Sequence, residues 1–384
     1  MHRVALHYTL HTGEDDVARG VQHPLSTLLG AVADAGSISA AARRIGASYR
    51  HGWGALKRWE AELGQPLVHW EQGQAARLTD FAAKLLWAER QAQARLAPQI
   101  EALRGELEHA FAAAFDPEVQ WLALHASHDE ALVALRAYAA QQAGLHLDLR
   151  FTGSVDAIRA LNEGRCLLAG FHGLAQAPRH SATARAYRAR LKPGQHKLIG
   201  FACRTQGLIV APGNPLQLHT LRDVAARAVR FVQRSPGSGT RVLLQELLAA
   251  EGLPEDALAT LPRGETTHSA AAEAVAAGAA DAALGIEAAA RQRGLGFVPL
   301  AEEHYHLVCL KSALEQPAVR ALRALLAAPA WQQQMAQWPG YAPLHCGDVL
   351  SLRQTLPWWN FRRKEHDPGV KRASSAITLE APRR

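Results

Sequence analysis

Gly36-Ser-Ile-Ser-Ala-Ala-Ala-Arg-Arg-Ile-Gly46-Ala-Ser-Tyr-Arg-His-Gly-Trp53 reads as two short helices joined by a tight turn. Ser37 or Ser39 is placed to cap the first helix, and Ala41, Ala42 and Ile45 fall on one face of it. Gly46 suits the left-handed residue that ends a helix. Ser48 restarts a helix carrying Tyr49, Arg50, His51, Trp53, Lys57 and Arg58. From Arg43 to Arg58 there are five Arg/Lys and no Asp or Glu. A small-residue turn followed by a basic, aromatic helix predicts a helix-turn-helix whose second helix enters the DNA major groove. The competing reading is an ordinary αα-hairpin, in which the small residues serve only close packing.

The residues around that stretch favour the first reading. Residues 24–35 form an apolar-faced helix through Leu25, Leu28, Leu29 and Val32. Trp59, Leu63 and Leu67 extend the apolar face of the second helix. Residues 68–79 read as two short strands around a Gly-containing loop, a wing, and residues 3–10 alternate like a strand able to pair with it. Thr79 or Asp80 then caps a long helix over about 80–110, with apolar positions such as Phe81, Leu85, Leu96 and Leu103. On this reading Ser39, Arg43, Ser48, Tyr49, Arg50, His51, Lys57 and Arg58 belong to the DNA face, joined by the wing residues Gln74 and Arg77. Trp53 and Trp59 are expected to pack inward rather than stack on bases.

At 384 residues the chain is expected to hold two or three domains. Its formal charge of +7 is unevenly placed. Residues 1–115 hold twelve Arg/Lys and twelve Asp/Glu, whereas the stretch from Cys346 onward holds eight against four. The local cluster on the second helix is therefore a stronger sign of nucleic acid than the overall balance. No apolar leader follows Met1 and no run of about 18 apolar residues occurs, which points to a cytoplasmic protein without a membrane span. Cys166, Cys203, Cys309 and Cys346 are scattered and read as buried, reduced thiols.

Phe115-Asp116-Pro117 breaks the helical pattern and suggests a hinge. Beyond Val119, strands and helices alternate: strands at 121–125, 145–151 and 166–171, with helices at 129–143 and 154–162. A second set follows, with strands at 229–233, 282–285, 297–300 and 304–310 and helices at 239–251, 269–277 and 287–293. An irregular segment with Pro178 and Pro193 separates the sets, and 199–210 is extended. Two α/β halves joined by extended segments predict a two-lobed, periplasmic-binding-protein-like domain of type II, with its ligand between the lobes. The expected division is a winged helix-turn-helix over 1–79, a dimerisation helix and hinge over 80–116, the two-lobed domain over 117–345, and a basic, flexible tail over 346–384.

Small hydroxyl residues recur where strands meet helices, positions at which free backbone N–H groups attract anions. Ser127, Ser154, Phe171, His172, Thr267 and His268 are candidates of this kind. The loop 233–241, Gln-Arg-Ser-Pro-Gly-Ser-Gly-Thr-Arg, contributes Ser238, Gly239, Thr240 and Arg241. Capping alone would explain any one of them. Its spacing does not fit a phosphate loop, Ser127-His128-Asp129 cannot form a triad, and no G-x-S-x-G elbow exists. No catalytic residue and no metal site are assigned, and His125, His128, His172 and His268 read as polar lining or core.

Gly36-Ser-Ile-Ser-Ala-Ala-Ala, Ser48-Tyr49, Trp53, Gly64-Gln-Pro-Leu67 and Leu78-Thr79 together resemble the winged helix of the molybdate-responsive ModE family, related to LysR-type regulators. Residues 119–345 are similar to the binding-protein-like domain fused to that winged helix, through Ala169-Gly-Phe-His172, Arg234-Ser-Pro-Gly-Ser-Gly-Thr-Arg-Val-Leu-Leu244, Thr267-His268 and Gly278-Ala-Ala-Asp281-Ala-Ala-Leu-Gly-Ile286. The small oligonucleotide-fold ligand domains of ModE regulators proper are absent. The resemblance implies a one-component regulator that binds double-stranded DNA as a homodimer or homotetramer. It also implies a small anionic effector linked to molybdenum or tungsten metabolism: molybdate, tungstate, the molybdenum cofactor or a molybdoenzyme substrate such as formate. The alternative is a pterin- or oxyanion-binding protein or enzyme with the winged helix as a docking module.

Overall fold

The computed structural model describes residues 23–70, 75–115 and 120–359. Helix α1 (Pro24–Ala35) has proline in its first turn, where the missing N–H costs nothing, and ends on Gly36 at φ +58°. Helix α2 (Ile38–Arg44) is capped by Ser37, which leaves Ser39 exposed on the helix surface. Helix α3 (Tyr49–Leu63) starts at Ser48, whose hydroxyl accepts the His51 N–H. Small residues let α2 and α3 approach: Ala42 is fully buried, and a Cβ on Gly52 would lie 3.1 Å from the Ala42 Cβ. Strands β1 (Val68–His69) and β2 (Arg77–Leu78) pair antiparallel as the wing. The expected strand at 3–10 and the wing residue Gln74 lie outside the described residues. Leu25, Leu29, Val32, Ile38, Leu56 and Leu67 form this unit's core.

Helix α4 (Asp80–Phe115) is capped by the Thr79 hydroxyl, which accepts the Ala82 N–H. Its 36 residues make it about 54 Å long, and it contains Pro98. It outruns the expected end near 110 and reaches Phe115, while residues 116 and 117 of the expected hinge lie outside the described residues.

The α/β region then runs β3 (Gln120–Ala126), α5 (Glu130–Ala143), β4 (Leu145–Phe151), α6 (Ser154–Asn162), β5 (Leu168–Leu174) and α7 (Ala182–Arg188). It continues with β6 (His196–Val210), α8 (Leu221–Ala226), β7 (Phe231–Val232), α9 (Gly239–Ala250), α10 (His268–Ala276), β8 (Ala282–Ile286), α11 (Glu287–Arg291) and β9 (Gly296–Leu310). One sheet orders these strands β4-β3-β5-β9-β6-β8-β7. The pairs β3–β4, β3–β5 and β7–β8 are parallel, as the alternating pattern required. Strands β6 and β9, 15 residues each, run antiparallel through both halves and are the crossovers. The two strands expected at 297–300 and 304–310 are thus one, carried across Ala301-Glu-Glu by pairing with β6. The first lobe holds β3–β5 with the core around Leu122, Leu147 and Leu168; the second holds β7 and β8 with Leu221, Phe231 and Leu248.

Two expectations fail here. The segment between Pro178 and Pro193 is not irregular, for α7 is capped by Ser181 and buries Tyr187. The flexible tail does not begin at Cys346. Helices α12 (Pro317–Ala327) and α13 (Pro329–Ala336) lead to β10 (Tyr341–Pro343) and β11 (Val349–Leu350), both paired with β6. Helix α14 (Leu352–Thr355) follows, and Leu352, Leu356 and Trp358 are buried against Phe171 and Tyr187. Apolar residues spaced through 349–358 find a sheet edge and a core to close, which outweighs their polar neighbours. Residues 360–384 lie outside the described residues.

Candidate functional site

Helix α3 presents one face to solvent. Tyr49 is 48% exposed and stacks on Trp53, their rings 6.4 Å apart and 18° from parallel. The Lys57 ammonium lies 4.8 Å over the Trp53 ring and 2.7 Å from Glu60. Arg50, His51, Arg58, Arg43, Ser48 and Arg77 are exposed beside them. Sequence reading missed Trp70, 51% exposed beside β1 and 5.7 Å from Trp53 edge to face. Trp59 turns inward, as expected, onto the His23 ring. Only Gly52 and Leu56 of α3 are buried, so the polar face stays free.

The cleft lies where β6 and β9 cross between the lobes, and it is closed. Gly153 of the first lobe meets the Gly237 carbonyl of the second so tightly that a Cβ would sit 2.5 Å from it. A Cβ on Gly239 would strike the His172 ring. Glu246 of α9 accepts from the Thr183 N–H (3.0 Å) and hydroxyl (3.3 Å) at the start of α7.

At the centre stand three charges that sequence reading did not single out. Arg204 on β6 is 1% exposed and pairs with Asp129, the N-cap of α5, and with Glu303 on β9. Glu303 also contacts His172 Nδ1 at 2.7 Å and accepts from Gln206 Nε2 at 2.8 Å. Tyr341 donates to Asp129 at 2.7 Å, and the Arg204 guanidinium lies 4.8 Å over the Tyr305 ring. Burial pushes the Glu303 carboxyl up, but the charges of Arg204 and His172 overrule it and hold it at about 2.

The candidates divide around this centre. Ser127 and Ser154 share a 3.0 Å hydrogen bond, Gln206 donates to Thr240 at 3.2 Å, and His172 and Gly239 touch. Ser238 caps α9, taking the Arg241 N–H, while the Arg241 side chain remains partly exposed. Phe171 goes elsewhere. Alternation along β5 turns it away from His172 and into the core with Tyr187, 5.1 Å between rings. Thr267 is likewise occupied, its hydroxyl held between α4 and the start of α10. Buried polar atoms of the cleft region without a hydrogen-bond partner include Arg204 Nε, Arg234 Nη1, His268 Nδ1 and Gln206 Oε1. Burial and the charge of Arg204 push the Arg234 guanidinium down to about 9, which leaves it cationic at neutral pH. Burial and the charge of Arg234 drive His268 well below the usual imidazole range. The missed residues do carry a sequence signal, namely charged and amide side chains inside otherwise apolar strands, as in Phe201-Ala-Cys-Arg-Thr-Gln-Gly-Leu.

Helix α4 lies across the mouth of this cleft and holds both lobes. Arg95 grips Glu265 of the second lobe through Nε (2.8 Å) and Nη2 (2.5 Å). Glu101, under two turns further on, pairs with Arg136 of the first lobe. Pro98 sits between the two clamps. Its missing N–H frees the Ala94 carbonyl, and the Thr267 hydroxyl donates to that oxygen at 2.9 Å while also capping α10. Arg234 links the clamp to the cleft: Nε donates to the Glu265 carbonyl (3.1 Å) and Nη2 to that of Thr266 (2.7 Å). A cavity of about 730 Å³ lies under the helix, lined by Arg90 and Gln93, by His128 of the first lobe and by Ser269 and Glu273 of the second.

A winged helix-turn-helix, a long linker helix and a two-lobed α/β domain follow one another along the chain. Residues 27–83 match the family described as bacterial regulatory helix-turn-helix protein, lysR family. Residues 135–327, half the chain, match the PBP superfamily domain, and the chain belongs to that superfamily. An uncharacterised protein of Bacillus subtilis (strain 168), YvgK, is 29% identical over 203 residues, 52% of this chain and 64% of that relative, so the match spans less than two thirds of it. Among solved structures, Corynebacterium glutamicum OxyR in its H2O2-bound form is 15% identical, covering 79% of this chain and 92% of its own at a TM-score of 0.40. Full-length BenM is 17% identical over 81% of this chain and 95% of its own, also at 0.40. Among the described residues, no helix is long and apolar enough to cross a membrane.

Proposed function

We propose that the chain is a cytoplasmic transcriptional regulator that reads DNA through α3 and the wing, and whose grip on DNA is set by an anion in the cleft. The observation that carries this reading is the double clamp of α4. A helix tied by Arg95 to one lobe and by Glu101 to the other must bend, slide or release a clamp when the lobes move. The same helix begins at the winged unit, so lobe motion reaches the DNA-reading face.

The effector is a small oxyanion. Arg234 offers a buried cationic N–H with no acceptor, and His268 and the Thr240 hydroxyl stand in the same region. Molybdate and tungstate, the oxyanions that the resemblance to the ModE family implies, are the first probes. An effector acts only through different affinities for the open and closed lobes. The test is operator binding by the full chain with and without molybdate, tungstate, sulfate and phosphate, beside a thermal-shift series. Stabilisation by an oxyanion that Arg234→Met abolishes supports the reading. Stabilisation untouched by that substitution puts the effector elsewhere.

A further inference from the structure

The crossover ribbon has two faces. Arg204, Glu303 and Tyr305 look into the cleft; the opposite face carries Cys203 on β6 and Glu302 and His304 on β9. Cys203 is the strand partner of His304, and Glu302 lies opposite Thr205. The Cys203 Sγ, a Glu302 carboxylate oxygen and a His304 ring nitrogen lie within 4.8 Å of one another. We propose that Cys203, Glu302 and His304 bind a divalent cation of the zinc class, which pins β6 to β9 on the outer face of the hinge.

The donor set decides the class of ion. A thiolate and an imidazole select zinc-like, borderline-soft cations over magnesium or calcium, which prefer oxygen alone. Metal–ligand bonds of about 2.0–2.3 Å place tetrahedral donors roughly 3.5 Å apart, so small side-chain rotations close the triad on an ion. Glu302 and His304 remain reachable, with side chains 64% and 29% exposed. Of the four cysteines only Cys203 is not buried, contrary to the sequence expectation, so it alone is open to an incoming ion. The next residue on the same face, His306, has its ring 5.9 Å from that of His304 and an Nδ1 buried without a partner. One residue along each strand, Arg204 and Glu303 hold the cleft. A cation behind them therefore couples to the occupancy of the ligand site.

Cobalt(II) is the probe, because a thiolate ligand gives it an intense charge-transfer absorption. The full chain, stripped with chelator, is expected to bind one Co²⁺ with that absorption and to release it to Zn²⁺. Cys203→Ala removes the absorption, while Cys309→Ala, a change at a buried thiol, keeps it. Glu302→Gln and His304→Ala each weaken binding by roughly tenfold or more. Absence of the absorption in the wild-type protein overturns the site, as does its survival in Cys203→Ala. Should Cys203→Ala fail to fold, by circular dichroism, the exposed Glu302→Gln decides, and unchanged Co²⁺ affinity there overturns the proposal.

Discussion

Arg204 shows how much of this protein rests on charges placed where charge is costly. A guanidinium 1% exposed is tolerable only because Asp129 and Glu303 surround it and Tyr341, His172 and Gln206 complete their hydrogen bonds. Arg204→Met leaves two buried carboxylates facing each other, and the expected loss is about 3–5 kcal/mol of stability in urea denaturation. Adding Glu303→Gln to that variant should recover part of the loss; a double variant no more stable than the single would show that the charges are not coupled. Buried histidines add a pH dependence. Burial holds His128 below, and His268 well below, the ordinary value of 6.5. Between those folded values and 6.5 the unfolded chain binds protons that the folded chain refuses, so stability rises with pH through this window and is complete above it. Melting temperature should therefore fall between about pH 7 and pH 5, and less so in His268→Asn; a flat profile would contradict the burial of these rings. The site was only half readable in the sequence for a related reason. Ser127, Ser154 and Thr240 stand at strand-to-helix junctions, which periodicity locates. Arg204, Gln206 and Glu303 lie inside strands, and only the pairing of β6 with β9 shows that they meet.

Elements were read more reliably than their junctions. Helix α3 is legible from Ser48, which caps it, and from the basic, aromatic residues that follow; the structure adds Gly64 as its left-handed end, and its exposed face agrees with its basic composition. If Arg50 reads a base edge, Arg50→Ala should weaken operator binding by about 1–3 kcal/mol and relax specificity at one position. Equal binding in a mobility-shift titration would remove Arg50 from the interface. Helix α4 was readable as a long amphipathic helix, but its partners were not. Pro98 leaves the Ala94 carbonyl free for Thr267, a residue that the sequence places among the ligand candidates. The consequence is testable at the clamp. Arg95→Ala should leave operator affinity without effector within about threefold of wild type and abolish the response to it. A variant that still responds fully would mean that lobe motion reaches the winged unit by another route. The apolar residues after Val349 were hidden in the same way, since their value depends on the edge of β6.

If the chain reads DNA as proposed, two copies bind one operator, and we propose that they meet along α4. Leu96 and Leu103 of α4 are 48% and 57% exposed, although each would contribute up to about 1.5–3 kcal/mol if covered. They are seven residues apart and so share one face of the helix, the spacing at which two helices pack side by side. The clamps Arg95 and Glu101 tie the helix to its own lobes, so covering the two leucines with a second copy leaves the cis contacts intact. One helix then serves the dimer, the cleft and the reading unit together, and a shift caused by lobe motion would change the spacing of two reading helices rather than the shape of either. Leu96→Glu with Leu103→Glu should convert the protein to monomers by light scattering while its melting temperature stays close to wild type, because neither side chain belongs to a buried core. Operator affinity should fall roughly 10²–10⁴-fold, since each half-site must then be bound without help from the other. A double variant that remains dimeric would place the interface on another surface and separate dimerisation from the linker helix.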